Sequence, residues 1–460
     1  MYIILFFCVL TASVVNKAKD IFGGELFTAF ALQGAQAKES LAEDELTKEL
    51  VSVKYIKEDG SIDESRQIII YKPTGVSGDL PLIYIPHYAA EENSADFISY
   101  IRHGWAVASP YDFKNEYNGI LATDDLVFNN AALYELRHMD GIDKKRIAIV
   151  GGSAGGYMCM MLNGLQMGTT ASIANSPIVN AWFNAHEYFP MCDEINRNSG
   201  LFSFTMPIQG LVSKSFQPVN QIIPANDTAR WEAVSPIGMA RAYSSPVVIT
   251  HNTSDILVPK DQLTHQYTYE DNDGTLPKGF NAKLPSGYPG ILSNTFEELA
   301  DPEELTVNYI DCRDYTIDGT MPYGSTLITM DIVDDGPTTA KGSHSNPHLK
   351  GNVDIFPYLE EKMELTLAGT EKAVPAKLQL LLDRYQGNSL ALPAHTGTDD
   401  SVYGSLAVYQ KEIVDELSVY VQNHSMEELE QAMENAISSA DESARTGYSE
   451  AWLEIKGKLQ

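Results

Sequence analysis

At 460 residues the chain is long enough for one large domain with decorations or two ordinary ones, and 44% hydrophobic with 20% charged residues suits a packed core rather than a disordered polymer. Its 62 acidic against 32 basic residues leave a formal net charge of −30, which repels phosphate backbones and anionic lipid. That excludes nucleic-acid binding and peripheral membrane attachment as default functions.

The chain opens on an apolar run, Tyr2 to Val15, of signal-peptide length and too short to span a bilayer. Lys17 and Lys19 follow the run instead of preceding it, and Ala35-Gln36-Ala37, small enough for a signal peptidase, lies far downstream. An exported leader (secreted or periplasmic) and a short buried helix of a cytoplasmic protein both stay open. No later segment is apolar enough to cross a membrane. Residues 16–50 are polar and helix-permissive, so residues 1–50 read together as a peripheral lead-in.

From there the grammar changes. Val51 to Ile56 and Gln67 to Tyr71 are short β-branched and aromatic runs around Asp59-Gly60, a hairpin signal. Leu80 to Pro86 is a continuous apolar run, as a strand buried on both faces requires. Asn93 or Ser94 caps a helix with Phe97, Ile98 and Ile101 on one face, ending at Gly104. Trp105 to Ser109 is the next strand, and Asp124 and Asp125 open a longer helix whose N-terminus their charge suits. Arg146 to Val150, Ala171 to Ala174 and Pro246 to His251 continue the strands. This alternation predicts a mostly parallel sheet with right-handed helical crossovers.

Residues 178–240 carry Trp182, Phe183, Tyr188, Phe189, Phe202, Phe204 and Trp231 and read as an excursion from the sheet. These aromatics fit an acyl or aryl pocket and the excursion's own core equally well. A second excursion, 263–320, is rich in Gly, Pro, Asp and Asn, and Ser325 to Val333 is the final strand candidate. After residue 351 the pattern is helical, with a capping-box signature at Ser425 and Glu428.

The segment that carries chemistry is Gly151-Gly152-Ser153-Ala154-Gly155, between the strand ending at Val150 and an apolar helix through Met158, Met161 and Leu162. A serine in a strained turn between strand and helix is pushed clear of the sheet above a helix N-terminus, whose field favours a developing oxyanion. A phosphate-binding turn lacks support here, since no Gly-Lys-Ser/Thr follows. A purely structural turn is the bland alternative.

This strand, the Gly-x-Ser-x-Gly turn and the run on to Gly156-Tyr157 resemble the α/β-hydrolase superfamily over about residues 65–260, closest to its esterase and prolyl-oligopeptidase-like branches. The resemblance implies a Ser-His-Asp triad in the chain order nucleophile, acid, histidine. Asp255, in the loop after Pro246 to His251 and before Val258-Pro259, fits the family's acid; the bland reading is a cap on the next helix, and Asp261 is a weaker alternative. The histidine usually follows the acid by some thirty residues, whereas His344 lies about ninety on, beyond the second excursion. His344, in a polar loop after the last strand candidate, is the choice and His348 the rival. His265 comes too soon, His395 and His424 lie in the tail, and His251 reads as a hydrogen-bonded core residue. The oxyanion hole falls to the backbone N–H of Ala154 and to Tyr88, which by resemblance gives its amide and, as in the prolyl-oligopeptidase-like branch, its hydroxyl. A packing aromatic is the plain alternative for Tyr88, and His87 beside it reads as structural.

The expected fold is an α/β-hydrolase sheet with helices on both faces, over 51–351, with an inserted lid at 178–240, a second insertion at 263–320 and a helical extension at 352–460. The expected function is hydrolysis of a carboxylic ester, with a peptidase or an inactive hydrolase-fold binding protein as alternatives. The esterase is favoured by resemblance, because the related peptidases normally carry an N-terminal β-propeller that residues 1–50 cannot supply. No cofactor is implied. Cys8, Cys159, Cys192 and Cys312 form no zinc-finger spacing, and Asp331, Asp334 and Asp335 lack the spacing of a calcium loop.

Overall fold

The computed structural model describes residues 41–42, 44–56, 61–111, 124–166, 169–184, 186, 226, 231–232, 234–240, 242–243, 245–252, 258, 261–264, 296–300, 305–310, 359, 375–386, 410–411, 413–415, 417–418, 420–421 and 425–460. Among these residues the centre is an eight-stranded sheet. In chain order the strands are β1 (Leu46–Ser52), β4 (Gln67–Pro73), β5 (Leu80–Tyr84), β6 (Ala106–Pro110), β7 (Ile142–Gly152), β8 (Ala171–Asn175), β9 (Val247–Asn252) and β10 (Leu305–Ile310), while β2 (Tyr55–Ile56) and β3 (Ile62–Asp63) pair apart from it. Across the sheet the order is β1-β4-β6-β5-β7-β8-β9-β10. β4 runs antiparallel to both β1 and β6, and every pairing from β6 through to β10 is parallel.

Strand periodicity explains the two-sided core. In β5, Leu82 and Tyr84 enter one apolar cluster and Ile83 the other; in β7, Ile147 and Ile149 go one way and Ala148 and Val150 the other. A parallel sheet needs both faces covered. Helix α1 (Ala95–Arg102) covers the second face with Phe97, Ile98 and Ile101, and α2 (Asp124–His138) and α3 (Ala154–Leu165) cover the first. Each fully buried Ile or Leu here contributes about 1.5–3 kcal/mol. Every residue of α3 is buried, so this helix is apolar all round, as expected of one enclosed in a core.

The expected caps form. The Ser94 hydroxyl accepts from the Phe97 amide, and Ser425 and Glu428 complete a capping box at the start of α9 (Met426–Ser439). The short helices between β8 and β10 are α4 (Ala181–Phe183), α5 (Pro236–Met239), α6 (Asp261–Thr264) and α7 (Phe296–Leu299). The C-terminal helices α8 (Pro375–Gln386), α9 and α10 (Glu442–Leu459) bury an apolar cluster of their own, and Leu380 of α8 packs against the sheet-side core next to α3.

Three readings shift. Residues 46–50, taken as polar lead-in, form most of β1, because pairing with β4 satisfies a strand whose side chains are largely exposed. β10 lies inside the stretch read as a second excursion, in parallel register with β9 from Leu305 opposite Val247 to Ile310 opposite Asn252; Ser325 to Val333 lies outside the described residues. Trp182, Phe183 and Trp231 are buried in the main core, which makes these three aromatics packing residues.

Candidate active site

Among the described residues, three that are not glycine have positive φ: His87 at 71°, Ser153 at 55° and Ser176 at 46°. They follow the carboxyl ends of β5, β7 and β8, which are neighbours in the sheet. Backbone strain of this kind persists only where surrounding structure over-determines it, and it clusters at functional sites. In a parallel α/β sheet that edge is where ligands bind.

Ser153 is the pivot between β7 and α3, with φ 55° and ψ −118°. Its amide donates to Asn175 O at 2.7 Å and its carbonyl accepts the first helical bond, from the Tyr157 amide at 2.9 Å. The turn closes because Gly151 and Gly155 lack side chains. A Cβ on Gly151 would stand 2.5 Å from Gly155 O, and one on Gly155 would stand 3.2 Å from Pro86 O and 3.3 Å from Tyr88 Cδ2. The second approach lets the loop after β5 lie against the elbow.

That loop delivers Tyr88. Its hydroxyl is hydrogen-bonded to Ser153 and accepts from the Ala154 amide, and burial pushes its ionisation well above the ordinary tyrosine range, so it stays a protonated donor. Its backbone amide is engaged elsewhere, donating to Pro86 O at 2.8 Å. The group that Tyr88 presents to Ser153 is therefore the hydroxyl.

Behind Tyr88 lies a buried charged cluster. His87 Nδ1 lies 2.5 Å from Asp125 Oδ2, and Arg66 donates to Asp125 Oδ1 at 2.9 Å. Burial alone would raise the Asp125 carboxyl; the charges and hydrogen bonds of His87 and Arg66 outweigh it and hold the group below the usual carboxylate range. Asp125 stands at the start of α2, as expected, and His87 is the residue that meets it. The pairing across the fold has no local signal beyond an Asp among the apolar residues of a helix, a position that needs a partner once buried.

Asp255, His344 and His348 lie outside the described residues. On either side of Asp255 the described residues are β9, which ends at Asn252, and Val258, whose carbonyl accepts from the His251 Nε2–H at 2.6 Å. His251 is a buried, hydrogen-bonded residue, as its place at the strand end implied. Gln262 of α6 then accepts from the Val179 amide at 2.7 Å and from Asn184 Nδ2 at 3.0 Å, tying the segment after β8 to the segment after β9. Among the described residues no group of acidic, His or Cys side chains could hold a metal, Cys159 is a buried free thiol, and no helix is long and apolar enough to cross a membrane.

Residues 91–268 match the model of the BD-FAE family, an esterase-like α/β-hydrolase domain. The chain has the α/β-hydrolase fold. The matched residues begin just beyond Tyr88 and include the strand–Ser153–helix turn and β9. A search of curated proteins finds no match. Solved structures similar to it include a puromycin hydrolase (15% identity, TM-score 0.37, covering 60% of this chain and 36% of that one). The acylaminoacyl peptidase of Pyrococcus horikoshii is similar at 16% identity (TM-score 0.37, 58% and 37%), and a prolyl endopeptidase at 16% (TM-score 0.40, 71% and 40%). The chain thus spans well under half the length of these structures. The sheet order and the strand–Ser153–helix turn are those of the α/β-hydrolase fold, in keeping with the family match.

Proposed function

We propose that the chain is a serine hydrolase that cleaves a carboxylic ester, with Ser153 as nucleophile, His344 as general base, Asp255 as the acid that orients it, and the Ala154 amide and Tyr88 hydroxyl as oxyanion donors. The observation that carries the reading is the strained Ser153 at the end of β7 with the Tyr88 hydroxyl bonded to it.

In the acylation step His344 takes the Ser153 proton as Oγ attacks the ester carbonyl. The new oxyanion replaces the Tyr88 oxygen as acceptor of the Ala154 N–H, and the Tyr88 O–H turns its proton to the same anion. Two donors then converge where charge develops, at the N-terminus of the twelve-residue helix α3. His344 returns the proton to the leaving alcohol. Water, activated by the same imidazole, releases the acid and restores Ser153. The match to an esterase-like family favours an ester. The tyrosine hydroxyl at the elbow favours the runner-up, a prolyl-oligopeptidase-like peptidase.

The test is labelling of the purified protein with a fluorophosphonate, with the modified peptide located by mass spectrometry. Turnover of p-nitrophenyl butyrate is then compared with that of a proline p-nitroanilide. Labelling at Ser153 with faster ester turnover supports the reading. Faster anilide turnover moves the assignment to the peptidase, and no label with no turnover leaves the binding-protein alternative.

A further inference from the structure

The strained turn before Tyr88 is held from outside the loop, and the holding groups form one chain. Tyr88 N–H donates to Pro86 O across His87, whose φ is 71°. This is the rare form of γ-turn, in which the central residue takes a backbone conformation that side chains disfavour. Three further contacts pin the central residue. The His87 amide donates to Asn129 Oδ1 at 2.9 Å, the His87 ring nitrogen Nδ1 meets Asp125 Oδ2 at 2.5 Å, and the ring lies edge-on to that of Tyr88 with centroids 4.3 Å apart. Asp125 has one partner on each oxygen, with Arg66 on Oδ1, so the carboxylate cannot rotate toward one without losing the other. Arg66 is in turn held 3.7 Å over the Phe128 ring. Asp125, Phe128 and Asn129 stand at i, i+3 and i+4 on one face of α2, which makes the whole set a rigid mount.

We propose that Arg66, Asp125 and His87 are positioning residues for the oxyanion donor: the chain Arg66–Asp125–His87 locks the γ-turn that keeps the Tyr88 amide on Pro86 and sets the Tyr88 hydroxyl on Ser153. The Tyr88 ring is fixed between the His87 ring on one side and the bare Cα of Gly155 on the other, where even a methyl would stand 3.3 Å from Cδ2. His87 is wholly buried and acts through Tyr88, never on the substrate. The inference rests on the serine-hydrolase reading for its effect on rate, and on the γ-turn alone for its effect on the loop.

The experiment compares two substitutions that both tolerate positive φ. His87→Gly removes the imidazole, and His87→Asn keeps a side-chain N–H about where Nδ1 stands. Expected for ester hydrolysis is a fall in kcat of about 10²-fold in His87→Gly with KM within about twofold, and recovery to within about tenfold of wild type in His87→Asn. In a Tyr88→Phe background the same changes are expected to lower kcat no further, because the group they position is gone. Asp125→Asn repeats the test from the other end of the contact. Hydrogen exchange on the folded proteins supplies the arm that needs no activity: the amide of Tyr88 exchanges faster in His87→Gly than in wild type and is again protected in His87→Asn. Losses that multiply in the Tyr88→Phe background, or equal protection in all three proteins, overturn the inference. A wild type that takes no fluorophosphonate overturns the hydrolase reading, and the exchange arm then decides the positioning claim by itself.

Discussion

The amide of Ser153 donates to the carbonyl of Asn175 at 2.7 Å, so the last turn of β7 is stitched to the last residue of β8. A residue with φ 55° is held there by two strands and a helix, while its hydroxyl takes no part in that support. Geometry and chemistry are thereby separable at Ser153.

That separation sets the first expectation. Ser153→Ala keeps Cβ, the N–H hydrogen bond to Asn175 O and the start of α3. Its thermal midpoint should stay within about 1 °C of wild type, which corresponds to about 1 kcal/mol for a chain of this size. Hydrolysis of p-nitrophenyl esters should fall by about 10⁶-fold, the scale of removing a triad nucleophile. Turnover by the purified variant at anything near the wild-type rate rejects Ser153 as nucleophile.

Gly151→Ala should do the opposite and strike the scaffold. The added methyl would stand 2.5 Å from Gly155 O and 3.0 Å from Cys159 Sγ. Backbone blocks the first direction, so β7 and α3 have to part. A loss of about 3 kcal/mol or more is expected, the upper end for overpacking, with loss of soluble protein as the visible result. Urea unfolding followed by tryptophan fluorescence measures it, and an unchanged midpoint would mean the elbow relaxes more easily than its contacts imply.

Tyr88→Phe should lower kcat by about 10²–10³-fold with little change in KM, because it deletes a donor that matters most when negative charge develops. The same residue shapes the pH profile. In the proposed mechanism the phenol works protonated, and burial moves its ionisation upward, so activity should hold a plateau to at least pH 10 instead of falling there. On the acid side kcat/KM should rise through one imidazole ionisation between about pH 5.5 and 7.5. A stopped series of initial rates from pH 5 to 10 checks both limbs; a rate that climbs steadily to pH 10 argues against an imidazole base.

For the remaining members of the proposed triad, His344→Ala should remove activity far more than His348→Ala. Asp255→Asn should lower kcat by about 10⁴-fold, since the carboxylate sets the imidazole tautomer, while Asp261→Asn should be tolerated. Equal mild losses in the two histidine variants mean that another histidine serves.

Asp125 links the fold to acid. Its carboxyl ionises below the ordinary value of about 3.9 because His87 and Arg66 favour the charged form over the penalty of burial. A lowered carboxyl contributes stability that is present above its unfolded value and lost as pH falls through its folded one. Asp125→Asn should therefore cost about 3–5 kcal/mol at pH 7, the range for breaking a buried pair. The gap to wild type should narrow as pH drops below about 4. Urea midpoints of both proteins at pH 7, 4 and 3 measure it, and a gap that is constant with pH contradicts the assignment.

Much of this was legible along the chain because its causes are local. A run such as Leu80 to Tyr84, apolar without a break, has to be buried on both faces, and it is. Ser94 caps α1 and Ser425 with Glu428 caps α9, because a hydroxyl needs only the amide three residues on. The Ser153 elbow is equally local: strand, small residues, helix. Tyr88 was named from its place after the third strand of the sheet, yet only the fold turned its amide toward Pro86 and left the hydroxyl to meet Ser153.

What sequence by itself determined is thus the sheet strands from β4 to β9 with the helices α1 to α3, and the turn that presents Ser153, since both follow from steric and hydrogen-bonding rules within a few residues. What only the tertiary structure decided is partnership. Arg66 and Asp125 are 59 residues apart and His87 and Asp125 are 38 apart, and no spacing rule joins them. Likewise the last described strand is Leu305–Ile310, set by its register on β9 and not by its own composition. Contacts of this kind exist only once the sheet brings the ends of β4, β5 and α2 together, because charge in a core is tolerated solely where a distant partner arrives to meet it.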